Sequence, residues 1–256
     1  MARLLFWVAA ALCALLAQAS AQCPVPLADM GQNVDAVLNE PGGLAYVEGQ
    51  LTEMGIPLTK DCLLLALQSD NVTVRKLVAG EAAAKGLKEA VPVIERMLQE
   101  ETEPYGRIGL AWDLAVLKQE LGLKTLEDYC DNSKEDIAIR LQAAEVLEVD
   151  LRQKSCPDVL ITALHDPEPT FRQKALSLLP EATDLSAEDF LLLHNLLLKS
   201  LSDHDRSVRI EAADVVTKLG DVSFIPELQK AVAKESDPEV KQAMTAALTP
   251  LQSKQT

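Results

Sequence analysis

The sequence predicts an all-α protein, a right-handed α-solenoid of about six stacked helical hairpins preceded by a cleaved signal peptide. Three observations predict it. Aromatic residues make up 4% of the 256-residue chain and glycine is sparse, whereas Ala, Leu, Glu, Lys and Gln, which favour helix over strand, are abundant. An arginine-centred pattern returns about every 32 residues. A second amphipathic segment precedes most copies of that pattern, so each unit reads helix, short turn, helix. Neither helix of such a unit can bury its apolar stripe alone, and the units must stack.

The first element is MARLLFWVAAALCALLAQASAQ. Arg3 supplies a positive n-region, Leu4 to Ala17 is an uncharged and mostly apolar run, and Ala19-Ser20-Ala21 fits a small-x-small cleavage site. Residues 1–21 are therefore expected to be a secretory signal peptide. The apolar run is shorter than the roughly 18 to 20 residues that a membrane span needs. Gln22, not a small residue, precedes Cys23, which argues against lipidation of that cysteine. Export to the periplasm or the extracellular space follows.

Removing residues 1–21 takes away Arg3 and no acid, so the net charge goes from −15 to 23 − 39 = −16. A chain this acidic repels the phosphate backbone of nucleic acid and anionic membrane surfaces. The expected partner is a protein, and a basic one is favoured.

Cys13 leaves with the signal, and Cys23, Cys62, Cys130 and Cys156 remain. An even number in an exported chain points to two disulfides. Four cysteines allow three pairings. The pairing of sequence neighbours, Cys23–Cys62 and Cys130–Cys156, is favoured because neighbours meet most easily in a locally connected fold. The absence of a C-x-x-C pair and of any His near a Cys argues against zinc.

Residues 22–58 follow as an N-terminal segment whose stretch 32–54 is expected to form a capping helix. The repeats occupy 59–251, and 252–256 is a tail. Arg75, Arg107, Arg140, Arg172, Arg209 and Lys241 are spaced by 32, 33, 32, 37 and 32 residues. One residue before each stand Val74, Gly106, Ile139, Phe171, Val208 and Val240. Four before are Asn71, Glu103, Asp136, Glu168, Asp205 and Asp237; four after are Ala79, Ala111, Ala144, Leu176, Ala213 and Thr245. The acid or Asn is suited to accept the orphan N–H groups of a helix start and to sit at the positive end of its dipole. Pro104, Pro169 and Pro238 come next in three copies, where a missing N–H costs little. The apolar positions form one helical stripe, and the small column lets another helix approach closely. Gly106 breaks the apolar column, which predicts imperfect packing or a bend in its unit. Turns containing Gly86, Gly122 and Gly220 are expected to end anchor helices. The segment 126–132 is a short and weak first helix.

These columns resemble the HEAT repeat family. The pattern D-x-x-V-R-x-x-A is closest at Asp205–Ala212, with looser copies at Asn71–Val78, Asp136–Ala143 and Asp237–Met244. The short period looks like that of the bacterial-type HEAT-like units. The resemblance implies that the acid and arginine support packing between successive units, a role carried here by Asp136 with Arg140 and Asp205 with Arg209. The family is functionally diverse, so the resemblance implies a fold and no particular activity.

The sequence carries little sign of chemistry. His204 lies in "SDHD", where Asp203 and Asp205 are better read as parts of a turn and a helix cap than as metal ligands. Iron hydroxylases with related repeats use His-Glu pairs, and no His-Glu dipeptide occurs here. No G-x-S-x-G, Walker loop or H-E-x-x-H is present. No catalytic, cofactor-binding or metal-binding residue is assigned. Asn71-Val72-Thr73 matches a glycosylation sequon, but the same residues are explained as a helix opening.

The 37-residue step holds "TDLSAEDFLLLHNLLLKSLSD", where the extra residues lengthen the turn and the first helix. A helix that is apolar over most of its circumference is either buried on several sides or presents a patch to a partner. Leu191, Leu192 and Leu198 are the candidate partner surface. The expected function is that of a non-catalytic protein–protein interaction scaffold or adaptor. The alternative is a lyase, hydrolase or metal-dependent enzyme whose site is dispersed over several repeats.

Overall fold

A computed structural model describes Cys23 and residues 43–254. The expected signal peptide, residues 24–42 of the N-terminal segment and the last two residues of the tail lie outside the described residues. Among those described the chain is helical and contains no strand. In order, the helices are α1 (Gly43–Glu53), α2 (Lys60–Ala66), α3 (Val72–Ala84), α4 (Val91–Glu100), α5 (Pro104–Val116), α6 (Glu120–Asp131), α7 (Ile137–Glu145), α8 (Pro157–Leu164), α9 (Pro169–Leu178), α10 (Ala187–Ser200), α11 (Arg206–Leu219), α12 (Ile225–Lys234) and α13 (Pro238–Ser253). After α1 they follow in chain order as six helix pairs, the second of each pair carrying an anchor residue. The packing divides the chain into two compact units, Met1–Thr125 and Leu126–Thr256.

In the first unit α3 packs against α1, α2 and α5, and α4 packs on α5. The core joins Val47 and Leu51 of α1, Leu63 of α2, Val74 and Leu77 of α3, Ile94 of α4 and Leu114 of α5, all fully buried. Each such side chain contributes about 2 kcal/mol by leaving water. In the second unit α9 and α11, and α11 and α13, lie against one another, with α7 against α9; α8, α10 and α12 pair with α9, α11 and α13 respectively. The column before the anchor is buried except at Phe171, which is half-buried. The small column is buried at Ala79, Ala111, Ala144, Leu176 and Ala213. Thr245, its last member, lies exposed on α13, the final helix.

The caps follow side-chain length. Asn71, Asp136, Asp205 and Asp237 each accept main-chain N–H groups of the first turn, Asp205 from Ser207 at 2.8 Å and Val208 at 3.3 Å. Glu103 and Glu168 stand at the same N-cap position but their side chains do not cap, contrary to the expectation for an acid there. A short carboxylate fits this closed ring of atoms, and a longer one does not.

The anchor has a defined job. Its terminal nitrogen donates to the carbonyl six residues earlier: Arg75 to Ser69, Arg107 to Glu101, Arg172 to Asp166, Arg209 to Asp203 and Lys241 to Glu235, at 2.7–3.4 Å. The side chain at that same position accepts the N–H of the N-cap residue, as Ser69 does from Asn71, Glu101 from Glu103, Asp166 from Glu168, Asp203 from Asp205 and Glu235 from Asp237. The turn is thereby tied at both ends. Arg140 is the exception: buried, it reaches back ten residues to the carbonyl of Cys130 at 3.1 Å.

Successive repeats are then joined by charge. Arg172 makes a two-pronged contact with Asp203 at 2.9 and 2.7 Å, Arg209 does so with Glu235 at 2.8 and 3.4 Å, and Lys76 pairs with Glu101 at 2.6 Å. Asp205 and Arg209 thus divide the role expected of them. Asp205 caps its own helix while Arg209 reaches the acid of the following turn, because a guanidinium pointing along the stack meets that turn before its own N-cap. The same separation of roles holds for Asp136, a cap, and Arg140.

Three further expectations change. Gly106 causes no packing defect. A Cβ there would stand 2.8 Å from Glu101 Oε2 and 3.0 Å from Lys76 Nζ, so the missing side chain makes room for the ion pair. Gly122 does not end an anchor helix. Lys118 takes the left-handed turn after α5, and Gly122 lies in α6, where a Cβ would sit 2.3 Å from the carbonyl oxygen of Ala111. The expected weak helix over 126–132 is the end of the 12-residue α6. Gly86 and Gly220 do take positive φ beyond their anchor helices.

Both disulfides join the expected neighbours, Cys23–Cys62 with Cα atoms 5.1 Å apart and Cys130–Cys156 with Cα atoms 6.2 Å apart. All four cysteines are buried.

Candidate partner-binding site

The long step in the repeat produces a helix whose first two turns expose three large apolar side chains. Ser186 opens α10, accepting the N–H of Asp189 at 3.1 Å and donating its hydroxyl to the Asp189 carboxylate at 2.6 Å. This cap fixes where the helix starts, and therefore which side chains face the core. Leu193, Leu196, Leu197 and Ser200 point inward and are buried. Phe190 and Leu191, by contrast, are 57% and 60% exposed, and Leu192 is 40% exposed. Of the three leucines singled out by sequence, Leu191 and Leu192 lie on the surface, while Leu198 is half-buried.

Beside this face lies a cavity of about 280 Å³. Its walls are Leu179 and Pro180 from the 3₁₀ turn after α9, Ala182 and Leu185 from the extended turn, Phe190, Leu193, His194 and Leu197 from α10, Leu219 from the end of α11, and Asp221 and Phe224 beyond it. The His194 ring stacks on Phe224 with centroids 4.4 Å apart and planes 16° apart, and Phe190 stands 6.1 Å from His194. Phe224 is buried, so His194 is held on a rigid aromatic floor. Leu219 and Val222 are exposed beside the opening. The apolar surface therefore runs from the floor of the cavity over its rim onto α10.

The rim is acidic. Residues 181–190 read EATDLSAEDF, four acids and no base. Asp221 caps the turn at Val222–Phe224 by accepting the Ser223 N–H at 2.8 Å. That hydrogen bond, helped by the nearby His194, holds the carboxyl below its usual range. The cations at hand are engaged: Arg152 by Glu181, Lys218 by Asp214 at 2.6 Å, and Lys254 by the carbonyl of Gly220 at 3.1 Å.

Leu191, Leu192 and Leu198 do not line the cavity itself. The residues that do come from three separate stretches, 179–185, 190–197 and 219–224, and the sequence offered none of them as a site. The available signal was one aromatic within the long step and one beyond it, Phe190 and Phe224, in a chain with four phenylalanines.

The remaining histidines sit in turns. The His165 ring bonds the Ile161 carbonyl at 2.9 Å, and the main-chain carbonyl of His204 accepts from Arg209 at 3.2 Å. Among the described residues no group of three or more His, Cys, Asp or Glu could hold a metal ion. No helix among them is long and apolar enough to cross a membrane.

Two buried acids with raised pKa values lie elsewhere. Burial holds the Asp113 carboxyl on α5 well above its usual range. Glu148 lies in the π-helical turn Val146–Asp150 that continues α7; its Oε1 accepts the Cys156 N–H at 2.9 Å, next to the disulfide, while Oε2 has no partner. Burial pushes its pKa up to about 7, against the pull of the Cys156 N–H and the Ser155 hydroxyl.

Fold and site together define a helical-repeat protein with a surface cavity. Residues 157–249, which contain α8 to α12 and most of α13, match the family model of HEAT repeats, so this segment is a run of HEAT repeats. No curated protein matches the chain. Among solved structures it is similar to human deoxyhypusine hydroxylase in complex with glycerol, at 16% identity over 86% of this chain and 96% of that one, TM-score 0.36. It is also similar to the CpcE–CpcF complex of phycocyanin lyase from Nostoc, at 15% identity over 89% of this chain and 98% of that one, TM-score 0.37. A designed armadillo repeat protein in complex with the peptide (KR)4 aligns at 16% identity over 85% of this chain and 98% of that one, TM-score 0.30.

Proposed function

We propose that the protein is an exported, non-catalytic scaffold or adaptor, its helix pairs forming a right-handed α-solenoid that binds a protein partner. The observation that carries this reading is the exposed apolar face of Phe190, Leu191 and Leu192 continuing into the α10 cavity. Single exposed leucines are ordinary on any protein, whereas three adjacent large apolar side chains beside a concavity mark an interaction surface. The rigid repeat holds that surface in place without chemistry of its own. Export is favoured by the leader-like first 21 residues and by the two disulfides, which persist in oxidising compartments.

The test is cross-linking in the producing cell. A photo-reactive amino acid at Leu191 should yield discrete adducts with a protein outside the cytoplasm, and the same group at Glu227 on α12 should not. Equal smears from both positions, or adducts with cytoplasmic proteins alone, would overturn the reading.

A further inference from the structure

We infer that the α10 cavity takes one bulky apolar side chain of a partner segment in which that anchor is flanked by lysine or arginine. The inference rests on the scaffold reading and names the chemistry of the partner.

Size selects the anchor. At about 280 Å³ the cavity lies just below the range of about 300–1,000 Å³ typical for whole small-molecule ligands, and it suits one large side chain. Its floor is flat and apolar, with the His194–Phe224 stack at 4.4 Å between Leu193 and Leu197, so an aromatic or leucine side chain can lie against it. The exposed rim residues Phe190 and Leu219 then cover the flanks of the anchor and exclude water from it.

Charge selects the flanks. Asp221 lines the cavity, and the stretch 181–190 that leads into its wall carries four acids and no base. Arg152 and Lys218 are paired with Glu181 and Asp214, while Lys254, held by the Gly220 carbonyl, is the one of these three cations that keeps its charge. The unbalanced local charge is negative, and so is that of the whole chain at −15. A second copy of this chain would bring acid against acid, which disfavours self-association through the face. A segment with basic residues on either side of its anchor meets complementary charge at the rim and an apolar pocket at the centre.

The experiment is selection of random 12-residue peptides on the purified protein, followed by fluorescence anisotropy with the selected peptides. The expected consensus is a central Phe, Trp, Leu or Met with Lys or Arg within three positions. Phe190→Ser should weaken binding about thirtyfold, the loss typical of a central anchor contact. The triple change Asp184→Asn, Glu188→Gln, Asp221→Asn should weaken it about tenfold at low salt and far less at high salt, because rim charges are screened. Leu191→Ser is the second surface variant, and circular dichroism checks that both fold as the parent does. A consensus without basic bias that is still lost with Phe190→Ser would overturn the charge assignment and leave the scaffold reading standing. Peptides indifferent to both Phe190→Ser and Leu191→Ser, or no enriched peptide, would overturn the site. The scaffold reading itself stands or falls on the adducts at Leu191.

Discussion

Glu148→Gln is the substitution whose effect follows most directly from the structure. The Glu148 carboxyl is buried beside the Cys130–Cys156 disulfide, with a pKa of about 7 against an ordinary value of 4.5. Between those values the folded protein keeps a proton that the unfolded chain has lost, so stability falls as pH rises through this window and levels off above it. A raised carboxylate pKa thus acts opposite to the depressed ones at Asp203 and Glu235. There burial works against ionisation, but hydrogen bonds from the turn N–H groups and from Arg172 or Arg209 outweigh it. Their stabilisation is present above the ordinary carboxylate range and is lost as pH falls through their folded values. For Glu148 the penalty is about 1 kcal/mol at pH 5 and about 3 kcal/mol at pH 8. Glutamine keeps an oxygen to accept the Cys156 N–H and removes the titration. Its amide leaves a buried donor where Oε2 lacked a partner, a cost of about 1–3 kcal/mol that does not vary with pH. That cost cancels when urea unfolding, followed by circular dichroism, is compared at the two pH values. The variant should gain about 2 kcal/mol on the parent between pH 5 and pH 8. Asp150, raised by burial and by the charge of Glu145, keeps its own pH dependence in both proteins. A difference between variant and parent that is the same at both pH values, within about 0.5 kcal/mol, would refute the assignment of a raised pKa to Glu148.

Other outcomes follow from the ties between repeats. Arg209→Ala leaves Glu235 largely buried without its cation and frees two turn carbonyls; it should cost about 3 kcal/mol by urea unfolding, and Arg172→Ala a similar amount. Gly122→Ala drives a methyl group against backbone, 2.3 Å from the Ala111 carbonyl oxygen, and should cost about 1–3 kcal/mol, whereas Gly106→Ala displaces only the flexible ends of Lys76 and Glu101 and should cost less than about 1 kcal/mol, and Gly109→Ala, where nothing lies within 4 Å of the added Cβ, should be neutral or stabilising. Replacing Cys130 and Cys156 together by Ser removes a link closing 26 residues and should lower stability by about 3.5 kcal/mol in oxidising buffer, with no difference from the parent once both are reduced.

Some of this was legible because the repeat makes its own statistics. One copy of Asp-x-x-x-Arg says little, but six registers of the same columns separate capping positions from anchors. The disulfide pairing was legible for a related reason, since a chain whose contacts are local brings sequence neighbours together. The side-chain partners were less so. The position six before the anchor reads Ser, Glu, Lys, Asp, Asp and Glu. Three of its acids, Glu101, Asp203 and Glu235, serve as the link between repeats, yet in sequence they merge with the other acids of each turn. Gly106 was misread because a missing side chain looks like a gap until the ion pair that fills it is placed.

By itself the sequence determined the helical class, the period and the start of each anchor helix, since each depends on residues close in the chain or on a strict interval, and it favoured, without deciding, the cysteine pairing that the structure has. Tertiary structure decided which acid each arginine meets, that Phe190 and Leu191 face water while Leu193 and Leu197 do not, and that Leu179, His194, Leu219 and Phe224 converge on one cavity. Helical periodicity gives the angle of a side chain around its own axis. Whether that angle faces a neighbour or solvent depends on where the next helix lies, and the longer turn before α10 sets that placement.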